Sequence, residues 1–216
     1  MLQMAQTIAV WALPVLFAVT LHEVAHGWAA KALGDNTAYM MGRLSLNPLK
    51  HIDPVGTILV PLIFVLLPGS FLFGWAKPVP VSARNLPHPR RDMALVAAAG
   101  PLCNLAQALL WGVLLKAVLG SGSDTGLAIG LRMMATSGVI INLVLIALNV
   151  LPLPPLDGSR VLAGLLPSRA AYQYSRIEPY GLVILVVLMV TGLLGPLMRP
   201  TIALGQAFLV AVLGLS

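Results

Sequence analysis

Residues 8–33, IAVWALPVLFAVTLHEVAHGWAAKAL, form an apolar run whose second half holds two histidines and a glutamate. The run is long enough to cross a bilayer as a helix, which takes about 20 residues. An ionisable side chain near the bilayer centre is disfavoured by roughly 2.5–3.5 kcal/mol on insertion scales, so a group of them within an apolar helix indicates a functional site. The stretch therefore predicts a transmembrane helix that carries chemistry.

The remainder of the chain has the same membrane character. Of its 216 residues, 58% are hydrophobic and 9% are charged, and the mean hydropathy is +0.92, which lies outside the range of soluble domains. Spanning segments are predicted over residues 4–33, 93–119, 131–151, 179–197 and 201–215. No polar stretch is long enough to fold separately, so we expect one domain over residues 1–216 and an all-α polytopic membrane protein with five to six transmembrane helices.

Residues 55–76, VGTILVPLIFVLLPGSFLFGWA, are apolar but contain several glycines and prolines. Irregular backbone at membrane depth is tolerated only where protein or a water-filled cavity covers it, which predicts a re-entrant or strand-like segment before the next span. Without a full crossing here, all but three of the 13 basic residues lie on one side, the exceptions being Lys116, Arg132 and Arg199. Cytoplasmic loops are enriched in Lys and Arg, so this bias favours the re-entrant arrangement, and a full crossing stays open.

The basic character of the chain also bears on its partners. The net charge is +6 and the pI is about 10.0, but the basic residues are scattered through short loops and are not interleaved with aromatic residues. This distribution does not indicate nucleic-acid binding, whereas attraction to an anionic lipid leaflet explains it. The lipid bilayer is the expected partner, and the sequence does not indicate an oligomeric state.

His22, Glu23 and His26 form an HExxH pattern within the first predicted helix. Residues four apart lie on one helical face, so the two imidazoles can bind one zinc ion while the carboxylate leans toward a water molecule on it. Amide hydrolysis benefits from this combination, because zinc lowers the pKa of its water to about 7 and a carboxylate can carry the proton to the leaving amine. The alternative is a chance match or a pair of hydrogen-bonded core histidines.

A catalytic zinc site usually has three protein ligands, and few acidic residues can supply the third. Asp157 is the predicted ligand because it lies in NVLPLPPLDGSRVL, where prolines break the helix and free backbone groups to line a cavity. A salt bridge between Asp157 and Arg160 is the alternative, and the topology favoured by the charge bias places Asp124 on the opposite side of the membrane. The other candidates are expected to be solvated or interfacial: Asp35, Asp53, Asp92, Glu178, His51 and His88.

Three motifs stand out along the chain: HEVAH at 22–26, AGPLCN at 99–104 and NVLPLPPLDG at 149–158. Together they resemble the motifs of the site-2 proteases, which are zinc-dependent intramembrane proteases. The resemblance implies that His22, His26 and Asp157 bind one zinc ion per chain and that Glu23 is the general base and acid. It also implies that Asn149 faces the catalytic water or the scissile carbonyl, the alternative being a hydrogen bond between helices. The GPxxN pattern at 100–104 is expected to serve close helix packing.

The same resemblance implies hydrolysis of peptide bonds in or near transmembrane segments of membrane protein substrates. The protein would reside in the plasma membrane with its active site toward the cytoplasmic side. Larger members of the family carry a sensing domain such as PDZ or CBS, and no stretch of this sequence is long and polar enough to form one. Two other functions stay open: a polytopic metal transporter, since intramembrane His and Asp clusters also mark ion pathways, and a non-catalytic scaffold that binds membrane helices.

Overall fold

The computed structural model describes residues 2–59 and 74–214, and this part of the chain is helical and contains no strand. Its α-helices are α1 (Leu2–Ala32), α2 (Thr37–Met40), α3 (Pro89–Gly120), α4 (Gly126–Asn149), α5 (Asp157–Leu165), α6 (Ser168–Ser175), α7 (Gly181–Val190) and α8 (Leu194–Leu213). A π-helical turn covers Pro54–Leu59, and 3-10 turns cover Pro48–His51, Ala83–Asn85 and Glu178–Tyr180. The predicted all-α class is confirmed.

Five helical stretches of the described chain are long and apolar enough to cross a membrane: Gln6–Ala32, Pro89–Gly120, Gly126–Asn149, Ser168–Val190 and Leu194–Leu213. Large apolar side chains stay exposed along them, as in Leu110, Leu127 and Val190, which suits helices that face lipid tails rather than water. The protein is therefore an integral membrane protein, and the spans found in the described residues fall within the predicted five to six.

The boundary between the last two spans differs from the prediction. The sequence predicts a break near residues 198–200, but the chain turns at residues 191–193 and α8 continues through Pro200. Gly192 has a φ of +73°, a left-handed conformation that glycine adopts readily and that commonly ends a helix. Pro196 lies in the first turn of α8, where a missing backbone N–H leaves no hydrogen bond unmade. The boundary between the two helices is therefore at Gly192 and not at Arg199 and Pro200.

Helix α3 lies at the centre of the bundle and contacts α1, α4, α5 and α8. An apolar cluster joins α3, α4 and α8 and consists of Ala108, Leu143, Leu209 and Leu213. Elsewhere glycine permits close approach, since a Cβ on Gly138 of α4 would overlap the indole ring of Trp111 on α3. Helices in lipid associate chiefly through such van der Waals packing and interhelical hydrogen bonds. The packing sets the C-terminal half of α1 against the N-terminal half of α3.

The loop between α1 and α3 begins and ends at the same end of the bundle. Asp35, just after α1, accepts hydrogen bonds from Thr37 N at 3.0 Å, Ser82 N at 2.7 Å and Asn85 Nδ2 at 2.8 Å. Burial alone would raise the pKa of the Asp35 carboxyl, but its hydrogen bonds with Thr37, Asn85 and Ser82 outweigh burial, so the pKa lies below its ordinary value. The expectation that Asp35 is solvated was wrong, because it is fully buried and ties the loop together.

The predicted re-entrant or strand-like segment falls largely on residues 60–73, which lie outside the described residues, and it stays a prediction. Its flanks lie together: Trp75 N donates to Gly56 O at 3.0 Å, and Thr57 Oγ1 donates to Trp75 O at 2.9 Å.

Candidate metal centre

Three side chains from two helices converge where α1 meets the start of α5. His22 and His26 lie one turn apart on α1, and their Nε2 atoms are 3.0 Å apart. Asp157, the first residue of α5, places Oδ2 at 3.2 Å from Nε2 of His22 and at 3.3 Å from Nε2 of His26. Within residues 2–59 and 74–214, this is the single group of three or more His, Cys, Asp or Glu residues whose ligand atoms all lie within 4.8 Å of one another.

The turn after α4 explains how Asp157 reaches the imidazoles. Prolines follow the end of α4 at positions 152, 154 and 155, and proline cannot continue a helix without losing a backbone hydrogen bond. The chain then doubles back closely, since a Cβ on Gly158 would overlap the carbonyl oxygen of Val150. Asp157 makes its close contacts with the two imidazoles while Arg160 is exposed. The alternative of an Asp157–Arg160 salt bridge is not what the structure shows.

The arrangement of donors and acceptors around these atoms fits a cation. Nδ1 of His26 is 2.8 Å from Val96 O, and Nδ1 of His22 is 2.5 Å from Asn104 Oδ1, so each imidazole donates from Nδ1 and keeps a lone pair on Nε2. Within the described part of the protein, the buried Oδ2 atom of Asp157 has no hydrogen-bond partner. Three acceptor atoms thus face one another at 3.0–3.3 Å.

This spacing can be compared with that of a zinc site. Ligand atoms about 2.0–2.1 Å from a tetrahedral zinc ion lie roughly 3.3 Å from each other, close to the separations found here. Two imidazole nitrogens and one carboxylate oxygen are also the ligand types of catalytic zinc sites that keep a fourth position open. The residues present therefore fit one zinc ion.

Glu23 lies beside the non-helical segment that precedes α3. Its Oε2 atom accepts a hydrogen bond from Val79 N at 2.9 Å, and its side chain is partly buried. The next helical turn of α1 also touches this segment, since a Cβ on Gly27 would lie 2.9 Å from a methyl carbon of Val79. A backbone amide thus fixes the carboxylate of the residue that follows His22 in the chain, and its predicted role as base and acid stays a prediction.

The side chain of Asn149, the last residue of α4, forms a hydrogen bond within its own helix. Its Nδ2 atom donates to Leu145 O at 3.0 Å. The residue is partly buried and lies eight positions before Asp157 in the chain. Its role at the catalytic water or scissile carbonyl stays a prediction.

Two residues of the GPxxN motif contact the centre more closely than the sequence predicts. A Cβ on Gly100 would lie 2.5–2.6 Å from imidazole atoms of His22 and His26, so only glycine lets α3 approach this face of α1. Asn104 is fully buried and accepts the hydrogen bond from His22 Nδ1. The signal in the sequence is their spacing of four, which places both on one face of a helix, but the sequence does not reveal which helix that face meets.

The remaining polar candidates lie away from the three ligand atoms. Asp92 is 4% exposed and caps α3 by accepting from His88 N at 2.8 Å, while Asp53 accepts from two backbone amides of the following turn. His51 is 3% exposed. The expectation of a solvated group was therefore wrong for Asp92, whereas His88 and Glu178 are exposed, and His51 is buried without joining the three ligand atoms. Composition cannot show that a loop folds back and covers its own polar residues.

The chain is similar to curated bacterial proteins whose names describe zinc metalloproteases. It is 39% identical to "Putative zinc metalloprotease YwhC" of Bacillus subtilis over 194 residues, which cover 89% of this chain and 85% of that protein. It is 30% identical to "Putative zinc metalloprotease Rip2" of Mycolicibacterium smegmatis and 33% identical to Rip2 of Mycobacterium tuberculosis. These two alignments cover 82% and 80% of this chain but 64% and 63% of the relatives. No family model and no solved structure matches the chain.

The match to the Bacillus protein extends over most of both chains. The metal in the names of the relatives is also the metal that the spacing of His22, His26 and Asp157 fits. On this sequence similarity, the chain belongs to the site-2 protease family of zinc metalloproteases.

Proposed function

We propose that this protein is an intramembrane protease that hydrolyses peptide bonds in or near the transmembrane segments of other membrane proteins. The observation that carries the proposal is the convergence of two Nε2 lone pairs and one unpartnered carboxylate oxygen inside an integral membrane protein. His22, His26 and Asp157 would hold one zinc ion per chain. When bound, zinc supplies Lewis acidity and lowers the pKa of a water molecule to about 7.

Glu23 is the proposed general base and acid. The hydrogen bond from Val79 N to Oε2 orients the carboxylate and leaves Oε1 available to take a proton. Glu23 then removes a proton from the attacking water and delivers it to the nitrogen of the leaving amine. Asn149 has two hydrogens on Nδ2, so it can keep its bond to Leu145 O and donate the second hydrogen to the scissile carbonyl oxygen.

The proposed substrate class follows from where the site lies. His22 and His26 belong to the spanning helix Gln6–Ala32, so a peptide bond that reaches them is at membrane depth. An amide within an intact helix is shielded by its own hydrogen bonds, and local unwinding of the substrate must come first. The non-helical backbone at residues 77–81, next to Glu23, offers an edge along which an unwound substrate can pair.

The proposed orientation has the metal centre toward the cytoplasmic side of the plasma membrane. Four arginines lie at this end of the bundle, at the start of α3 and around α6: Arg90, Arg91, Arg169 and Arg176. Arg90 also joins these elements, since it donates to Ser168 Oγ at 2.8 Å. The enrichment of cytoplasmic loops in arginine and lysine supports this side.

Two other functions were left open by the sequence, and hydrolysis accounts better for the geometry. A transporter needs metal-binding groups along a path between both faces, whereas the described residues contain one such group, at one depth. A scaffold for membrane helices has no use for a glutamate held beside two metal-binding histidines. We therefore treat peptide hydrolysis as the function.

The experiment compares cells that produce the wild-type protein with cells that produce the Glu23→Gln variant. Quantitative proteomics of the membrane fraction, with sequencing of new peptide ends, measures cuts within hydrophobic segments. We expect these cuts in the wild type and not in Glu23→Gln, because the amide cannot take a proton from water. Zinc content of the purified proteins is measured in parallel, and both should contain zinc.

Glu178→Gln is the matched control, since Glu178 is an exposed carboxylate away from the cluster. It should cut and bind zinc as the wild type does. The proposal fails if Glu23→Gln produces the same new ends as the wild type, or if the purified wild-type protein binds no zinc.

A further inference from the structure

The two histidines are oriented by different kinds of acceptor. His26 donates from Nδ1 to a backbone carbonyl, that of Val96, whereas His22 donates to the side chain of Asn104. A carbonyl can only accept, but a primary amide accepts at one end and donates at the other. The effect of Asn104 on His22 therefore depends on which way its amide group is turned.

The surroundings of Asn104 settle that direction. Its Nδ2 atom lies 3.1 Å from Ala18 O and 2.8 Å from Asn142 Oδ1. Asn142 in turn places Nδ2 at 2.8 Å from Gly138 O. Because the carbonyls of Ala18 and Gly138 can only accept, both amides must point their nitrogens toward them. Turning either amide round would set oxygen against oxygen.

The orientation of the Asn104 amide determines the tautomer of His22 in the metal centre. With its nitrogen committed to Ala18 and Asn142, Asn104 has only its oxygen for His22, so His22 must carry its proton on Nδ1. Its Nε2 lone pair then faces Asp157. Asn104 and Asn142 are both 0% exposed, and in such a low-dielectric setting a misdirected amide is disfavoured by the loss of its hydrogen bonds.

We propose that Asn104 and Asn142 are positioning residues that form a directional relay of amides from α4 through α3 to His22. The relay holds His22 in the tautomer protonated at Nδ1, with Nε2 ready to bind metal. The expected gain in zinc affinity rests on the proposed function, whereas the tautomer is a property of the metal-free protein. Partners that orient metal-binding histidines typically contribute about 10–100-fold to metal affinity.

The first measurement is zinc affinity by competition with a chelator, on purified protein in detergent micelles. Asn104→Leu removes the acceptor of His22 and should weaken zinc binding by about 10–100-fold. Asn142→Leu removes one of the two groups that fix Asn104, so its loss should be smaller and in the same direction. Both variants retain His22, His26 and Asp157, so any loss reflects orientation and not ligand number.

Gln107→Leu is the matched control. Gln107 is another buried amide on α3, 5% exposed, and its Nε2 atom approaches the same Ala18 carbonyl at 3.5 Å. Its Nε2 atom also contacts Cys103 Sγ, and not His22. Its removal should change zinc affinity by less than about threefold, well below the range for partners of metal-binding histidines.

The second measurement reads the tautomer directly. Nitrogen NMR of metal-free protein labelled at histidine distinguishes protons on Nδ1 and Nε2. In the wild type both His22 and His26 should be protonated at Nδ1. In Asn104→Leu only His22 should lose this preference, because Val96 still fixes His26. Asn104→Asp should restore it, since one carboxyl oxygen can accept from Nδ1 while the protonated second oxygen donates to Ala18 O or Asn142 Oδ1 in place of the amide nitrogen.

The relay is overturned if Asn104→Leu keeps the His22 tautomer and the wild-type zinc affinity, or if Gln107→Leu loses as much affinity as Asn104→Leu. Should Asn104→Leu not fold, the tautomer of His22 in Asn142→Leu and Asn104→Asp decides the question. A wild-type protein that binds no zinc would contradict the proposed function alone, because the tautomer in metal-free protein still tests the relay.

Discussion

Asp35 and Asp157 are carboxylates withdrawn from solvent, and the structure surrounds them in opposite ways. Asp35 receives hydrogen bonds from Thr37, Ser82 and Asn85 and is 0% exposed. Asp157 has a buried oxygen without a hydrogen-bond partner among the described residues, and this oxygen faces two imidazole nitrogens that are themselves acceptors. Protein donors balance the first negative charge, whereas the second needs a cation.

The contrast shows that burial alone does not separate a structural carboxylate from a functional one, and that the donors around it do. A carboxylate with satisfied oxygens stabilises the fold, so its replacement should lower the free energy of unfolding. A carboxylate whose buried oxygen meets only metal-binding groups contributes little to the fold by itself, so its replacement should affect metal binding instead. The predictions below test this division with three carboxylates.

Asp157→Asn should have the largest effect, and the effect should fall on zinc. Loss of a direct ligand should weaken zinc binding by roughly 100-fold or more, at least the upper end of the loss seen for outer partners. The metal-free variant should be as stable as the wild type or more stable, because an amide N–H can donate to the Nε2 lone pairs. Chelator competition measures the affinity, and unfolding in mixed micelles measures the stability.

Asp35→Asn should lower the stability of the protein and leave its zinc affinity nearly unchanged. The side chain keeps its size, but its new N–H group opposes donors that previously met a carboxylate, so the free energy of unfolding should fall by about 1–3 kcal/mol. Zinc affinity should stay within about twofold of the wild type, because the two sites share no partner. A loss of zinc affinity without a loss of stability would reverse the assignment of the two carboxylates.

The pH dependence of stability should show whether the charge of Asp35 stabilises the fold. Folding lowers the pKa of Asp35 below its ordinary value of 3.8. Between the folded pKa and 3.8 the unfolded chain binds more protons than the folded protein, so the free energy of unfolding rises with pH. The contribution of Asp35 is therefore fully present above that value and is lost as the pH falls through the folded pKa. The free energy of unfolding of the metal-free wild type should exceed that of Asp35→Asn between pH 6 and 3. This difference should become smaller only at the acid end of the range. A difference that stays constant would mean that the charge of Asp35 does not contribute.

Much of the fold is predictable because membrane helices depend on local composition. Apolar runs and their lengths indicate the spans, and they placed α1, α3 and α4 within a few residues of their observed bounds. The boundary between α7 and α8 was misplaced because Gly192 and the Arg-Pro pair are both plausible breaks. Which one ends a helix depends on packing that composition does not contain.

In the candidate site, too, features that depend on one local stretch of sequence are predictable and contacts between helices are not. HExxH spacing is local to one helix, so it predicts that His22 and His26 share a face, and the prolines before Asp157 predict a turn. The contacts of Asn104 with His22, Ala18 and Asn142 join three helices. Such contacts depend on the rotation of α3 against its neighbours, which no spacing within a single motif determines. The roles of Glu23 and Asn149 stay predictions.

Asp124→Asn should have the smallest effect and completes the ranking. Its side chain is 85% exposed, and it forms a 3.3 Å ion pair with Arg132 at the other end of α4 from the metal centre. Arg132 also donates to Ser123 O, so it keeps a partner in the variant. An exposed ion pair contributes about 0.2–1 kcal/mol and is screened by salt, so the small loss of stability should disappear at high ionic strength while zinc affinity is unchanged. If Asp124→Asn destabilised the protein more than Asp35→Asn does, the number of satisfied oxygens would not rank these carboxylates, and the inference drawn from the unsatisfied oxygen of Asp157 would lose its basis.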